Sequence, residues 1–292
     1  MQIVFHIGAH CTDADRLVRS LLRNREVLAG HGVAVPGPGR YRKTLSEALI
    51  KLRGARASAE AQDVLLETVI DDERAHRLIL SNESFISMPT KVIDDGAFYP
   101  KAAKSTWLRN AFPSAEVEFA LGIRSFSSFL PALFDLLGPE QTSPKSFLAG
   151  IDPLDLRWSD YISRIANANP GAPILVWCDE DSPLIWPEIM RELAAVDATV
   201  PLKGALDLTR QIMAPEGHKR LRGYLRTRPP ANENIRRKVV AAFLTKYALE
   251  AEVEQVVALP GWDQGLIDAL DARYDQDIER IAAIPGVTLI TP

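Results

Sequence analysis

The stretch Gln2-Ile3-Val4-Phe5-His6-Ile7-Gly8-Ala9-His10-Cys11-Thr12-Asp13-Ala14-Asp15-Arg16 decides the fold. Ile3–Ile7 is short, mostly apolar and β-branched, and reads as a buried strand. Gly8 marks a turn. Beyond it, Leu17, Val18, Leu21, Leu22 and Leu28 share one stripe of a helix over Asp15–Ala29, which would pack that helix on a sheet. Strand, glycine turn and helix start in this order can gather backbone N–H groups around an anion. The side chains contradict that use, since Asp13 and Asp15 stand there and no lysine does.

Outward from this unit, apolar runs alternate with helical patterns. Strands are expected at Ile3–Ile7, Gly32–Val35, Leu78–Ser81, Val117–Ile123, Ile174–Trp177 and Val287–Ile290. Helices are expected at Asp15–Ala29, Ala57–Asp71, Lys101–Ala111, Phe126–Leu137, Ser159–Ala168, Leu184–Ala195 and Trp262–Ile284. The alternation predicts one α/β domain over 1–292, with a mostly parallel, five-strand-type sheet flanked by helices and ligands beyond the strands' carboxyl ends. Residues 201–251 are helical and locally basic, broken at Pro229 and Pro230, and read as a helical insert or lid.

The 292 residues are 47% hydrophobic and 25% charged, with a net charge of −4. That balance gives no global attraction for nucleic acid or an anionic membrane, so neither partner is expected and an anion site must be local. No apolar run approaches the roughly 20 residues of a membrane span. No basic region and cleavage site open the chain, and two cysteines make no disulfide framework, so a cytoplasmic location is expected.

The pattern His6-Ile7-Gly8-Ala9-His10-x-Thr12 between strand and helix resembles the first loop of bacterial sulfotransferases, which have a P-loop-like fold and use phosphoadenylyl sulfate. Leu78–Phe85 is similar to the strand end that carries the family's catalytic glutamate. Phe119–Arg124 with helix Phe126–Leu137 resembles its strand-Arg-helix clamp for the 3′-phosphate. Tyr274–Ile281 with Gly286-Val287 is similar to the family's C-terminal helix. The resemblance implies that Gly8, Ala9, His10, Cys11, Thr12, Asp13 and Ala14 hold the 5′-phosphosulfate. It implies further that Arg124 with Ser128 holds the 3′-phosphate and that Glu83 deprotonates a small-molecule or carbohydrate acceptor.

The chain departs from this pattern at charged positions. The family's lysine before Thr12 is Cys11 here, its glycine is Asp13, and the hydroxyl residues that follow are Ala14, Asp15 and Arg16. The missing lysine is a charge-stabilising contact usually worth a few kcal/mol in the transition state. A carboxylate about 4 Å from a phosphate costs roughly 4 kcal/mol at an effective dielectric of 20. A serine further along the second helix is Ala132, leaving Ser127 and Ser128 to substitute. His10 is the nearest replacement for the lysine. It would act best protonated, below about pH 6.5.

Each of these residues also has a purely structural reading. Thr12 as cap, with acidic residues in the first turn, would make a self-capped loop worth about 0.5–2 kcal/mol. Arg16 would point to solvent. Glu83 would cap a helix or form a salt bridge, and Arg124 would fix the sheet edge by an ion pair. Lys219, Arg220, Arg222 and Gly223 either cover the 3′-phosphate or form a solvated face, and Asp179, Glu180 and Asp181 read as caps of the helix near Pro183. His6, His10, Cys11, Asp13 and Asp15 are metal-capable residue types without metal-site spacing, and no metal is expected. The functional alternatives are a sulfotransferase, a catalytically inactive binding or regulatory protein of that fold, and another enzyme, a hydrolase or kinase, reusing the cleft.

Overall fold

The computed structural model describes residues 1–70, 74–138, 143–253 and 259–292. Its strands are β1 Gln2–His6, β2 Val33–Ala34, β3 Arg77–Ser81, β4 Ile93–Asp94, β5 Ala97–Phe98, β6 Glu116–Ile123, β7 Ile174–Cys178 and β8 Val287–Ile290. Six of them form a parallel sheet in the order β2-β3-β1-β6-β7-β8, while β4 and β5 pair as a separate antiparallel hairpin. The expected five-strand type is therefore corrected to six, because Val287–Ile290 pairs with β7 in parallel.

Strand alternation explains the two layers of helices. Ile3 and Phe5 face a core shared with the helices Pro38–Leu52, Ala59–Val69, Ser105–Ala111, Phe126–Leu137, Trp158–Ala168 and Gln264–Ala282. Val4 faces the opposite core, with Leu17 and Leu21 of helix Arg16–Arg23 and Ile185 and Ile189 of helix Ser182–Ala194. Successive side chains on a strand point to opposite faces, so a fully apolar strand must be covered twice.

Several helix expectations are corrected in detail. The helix read over Asp15–Ala29 breaks at Asn24 into Arg16–Arg23 and Arg25–Gly30. The Asn24 amide donates to the carbonyls of Ser20 and Lys203 and accepts from the Lys203 N–H, so its side chain competes with the helix ladder. The helix read over Ala57–Asp71 runs Ala59–Val69, and Asp71 lies outside the described residues. Helix Pro38–Leu52 and the β4–β5 hairpin were not expected. In the basic segment, helices Pro215–Thr227 and Glu233–Tyr247 flank the Pro229–Pro230 break. Among the described residues no helix is long and apolar enough to cross a membrane.

Register decides what shares the sheet edge. His6 pairs with Ser81 and Ala120, and Ile123 with Cys178, so β1 and β3 end in register and β6 and β7 end together three residues further on, at the same edge of the sheet. The chain runs from β1 toward the β2–β3 side and from β6 toward the β7–β8 side, and a crevice opens where those directions diverge. The first loop, Glu83, Arg124 and Asp179–Asp181 therefore meet at one edge.

Candidate functional site

The first loop is closed on itself. The Asp13 carboxylate is buried and its Oδ2 accepts from the Leu17 N–H at 2.9 Å, while the Asp13 carbonyl accepts from Arg16 N. An anion thus already sits at the start of helix Arg16–Arg23, where the dipole favours one. Thr12 is not the cap, as its hydroxyl donates to the Ala9 carbonyl at 2.8 Å. Nor does Asp15 cap. It has left-handed backbone (φ 64°), as do Cys11 and Ala14, and its carboxylate pairs with Arg42 at 2.5 and 3.0 Å. That pairing holds the Asp15 carboxyl below the usual range. Arg42 also donates to the Ser81 carbonyl at 2.9 Å, tying helix Pro38–Leu52 to the end of β3.

His10 is not a charge donor to the cleft, which corrects its expected role. Its ring is fully buried, stacks on Tyr99, and lies with Nδ1 2.7 Å from the Tyr99 hydroxyl. Burial lowers its pKa to about 4, so the imidazole is neutral at pH 6.5. His6 stacks on Trp177 with Nδ1 2.9 Å from Ser81 Oγ, and burial lowers its pKa as well. Cys11 is no nucleophile, since loss of water pushes its thiol up to about 12. Among the described residues no three His, Cys, Asp or Glu side chains are grouped to hold a metal ion.

Glu83 lies beside the first loop. A Cβ built on Gly8, whose φ is +106°, would lie 3.3 Å from the Glu83 Cβ, so only glycine allows this approach without strain. The capping and salt-bridge readings of Glu83 do not apply, because its carboxylate makes no hydrogen bond or ion pair among the described residues. Partial burial raises its pKa, and the charges of Asp13 and Asp15 raise it further. A carboxyl raised in this way beside a cleft is a candidate general base.

Arg124 makes hydrogen bonds rather than an ion pair. Nε donates to Ser128 Oγ at 2.8 Å, and Nη1 donates to the Cys11 carbonyl at 3.1 Å. The strand-Arg-helix unit therefore clamps the first loop. Ser127 instead donates to Asp271 Oδ1 at 2.5 Å. Arg124, Ser128 and Thr12 line a cavity of about 820 Å³. Arg16 also lines it and is exposed to solvent, as expected.

The opposite wall is acidic. Asp179, Glu180, Asp181, Glu252, Asp271 and Asp275 line the same cavity, six carboxylates against two guanidiniums. Asp179–Asp181 form a single 3₁₀ turn, and the helix after it has no side-chain cap, so the capping reading is corrected. Glu180 accepts from Ser125 N at 2.8 Å and from the Tyr274 hydroxyl at 3.1 Å. Loss of water, then Glu180, pushes the Asp179 carboxyl up to about 7. None of Lys219, Arg220, Arg222 and Gly223 lines this cavity, so they do not cover a ligand there.

Sequence reasoning missed Tyr99, which holds His10, and Arg42, which neutralises Asp15. Tyr41, Leu45 and Leu49, all buried at a spacing of four, were the signal for the helix that carries Arg42. No family model matches the chain, and no curated protein or solved structure matches it.

Proposed function

We propose that this chain is a sulfotransferase-like protein that has given up sulfuryl transfer and serves as a binding protein. The observation that carries this reading is the Asp13 carboxylate on the Leu17 N–H. It stands where the resemblance expects the 5′-phosphosulfate of phosphoadenylyl sulfate, and it brings the same charge. The remaining groups also fit that cofactor poorly. His10 is neutral and turned into the core, and a cavity with six carboxylates repels a polyanion.

A second reading, an active sulfotransferase acting on a hydroxyl or amine, is favoured by one pair of observations. Arg124 and Ser128 sit together at the edge of the cleft, and Glu83 is a half-buried, unpaired carboxylate with a raised pKa. Calorimetric titration with adenosine 3′,5′-bisphosphate separates the two readings. The binding-protein reading expects no saturable heat from the native chain and a gain of binding in the Cys11→Lys/Asp13→Gly variant. Native binding that is lost in Arg124→Ala, with sulfuryl transfer lost in Glu83→Gln, establishes the enzyme instead.

A further inference from the structure

The basic segment builds a second cavity that the cleft does not use. Helix Thr209–Ile212 separates the two spaces. Leu208, Gln211 and Ile212 line the cleft, while Arg210 lines a cavity of about 700 Å³ on the other side. His218 and Arg222 line that cavity from helix Pro215–Thr227, four residues apart and so on one face. Neither guanidinium has a hydrogen-bond or ion-pair partner among the described residues, in contrast to Arg220, Arg236 and Arg237 nearby. The one carboxylate in the lining, Asp207, is paired with Arg23.

Two arginines converge on His218 closely enough that both lower its pKa, after burial has done so first. The nearby Leu206 backbone partly offsets that lowering, while Nε2 is buried without a partner. The cavity also opens beside Pro215, the first residue of a thirteen-residue helix, whose dipole favours negative charge there. In a chain of net charge −4, this is a locally cationic space with unspent donors. Its volume lies within the roughly 300–1,000 Å³ of small-molecule sites, leaving room for more than a bare oxyanion.

We infer that this cavity binds a phosphate group, free or as a small phosphomonoester, with Arg210 and Arg222 holding the phosphate oxygens and His218 lying against it. Arginine forks match the tetrahedral oxygens in a way a solvated lysine face does not. The site is independent of the cleft and of how the cleft is read.

The test titrates the full chain with inorganic phosphate and with glycerol 3-phosphate, by calorimetry at fixed ionic strength. Saturable binding is expected, with affinity falling about tenfold or more in Arg222→Gln and in Arg210→Gln and unchanged in Arg124→Ala. Far-UV circular dichroism and melting curves confirm that each variant is folded. Equal affinities for the two probes assign the site to free phosphate, and a tighter ester assigns it to a phosphomonoester. No saturable binding of either probe, equal binding in the Arg210→Gln/Arg222→Gln double variant, or loss of binding in Arg124→Ala would each overturn the inference.

Discussion

Replacing Asp13 with alanine tests whether the first loop is sealed by its own anion. The substitution removes a buried hydrogen bond from the Leu17 N–H and the negative charge at a helix start. The lost cap costs about 1 kcal/mol, and the lost charge–dipole attraction about 0.3–1 kcal/mol. Opposing this, Asp13 raises the pKa of both Glu83 and Asp179, so its removal relieves crowding among carboxylates. The net expectation is a destabilisation of about 1–2 kcal/mol in urea melts, or roughly 2–3 °C in Tm for a chain of this size. Asp13→Asn keeps an acceptor and should lose less.

The same variant carries a sharper signature. With the carboxylate gone, sulfate can take its place, and at about ten times its Kd it would return about 1.4 kcal/mol. Sulfate stabilises proteins generally, so the quantity to compare is its effect on the variant minus its effect on the native chain, with chloride at equal ionic strength. The Glu83 carboxyl, followed by NMR, should also titrate lower in Asp13→Ala than in the native chain. A variant as stable as the native protein, with no added response to sulfate, would refute the idea that Asp13 stands in for a ligand anion.

Three further expectations follow from buried groups elsewhere. His10 has a folded pKa of about 4 against about 6.5 unfolded, so the unfolded chain takes up its proton first as pH falls. This group's contribution is intact above pH 6.5 and is lost between 6.5 and 4, to a total of about 3 kcal/mol. A His10 ring resonance titrating near 6.5 would contradict the buried geometry. Arg77 is almost fully buried, donates to the Leu193 carbonyl at 2.8 Å and pairs with Glu118 at 2.5 Å. Arg77→Met should cost about 3–5 kcal/mol and Arg77→Met/Glu118→Leu much less, as read from urea melts. Equal losses in the two would show that the pair's charge is irrelevant. A Cβ on Gly122 would lie 2.9 Å from Trp177 Nε1, so Gly122→Ala should cost about 1–3 kcal/mol, and an unchanged Tm would deny that packing.

The sheet was legible because each of its strands is an apolar run that local sequence marks by itself. Ile3–Ile7 and Val117–Ile123 need no partner to be recognised. The interruption at Asn24 was not, because it depends on the Lys203 backbone far along the chain. The site divides in the same way. Glu83 and Arg124 were found as polar residues closing apolar strands, a local signal, and register brings both to one edge. What the cleft can bind was not legible, because its charge is a sum over segments that only folding joins. Arg16 comes from the first helix, Asp179–Asp181 from the end of β7, and Asp271 and Asp275 from helix Gln264–Ala282.

The same logic governs the basic segment, which reads along the chain as one block of positive charge. Folding divides it. Arg236 and Arg237 are spent on Glu188, and Arg236 also on Glu233, fastening helix Glu233–Tyr247 to helix Ser182–Ala194. Arg220 is spent on Glu216 within its own helix. Arg210 and Arg222 face a cavity with their donors unspent among the described residues. A run of charge in sequence therefore marks where cations are abundant, but the carboxylates that folding brings beside them decide which can meet a ligand. By that criterion the anion site moves from the first loop, where a carboxylate already occupies it, to the helical segment.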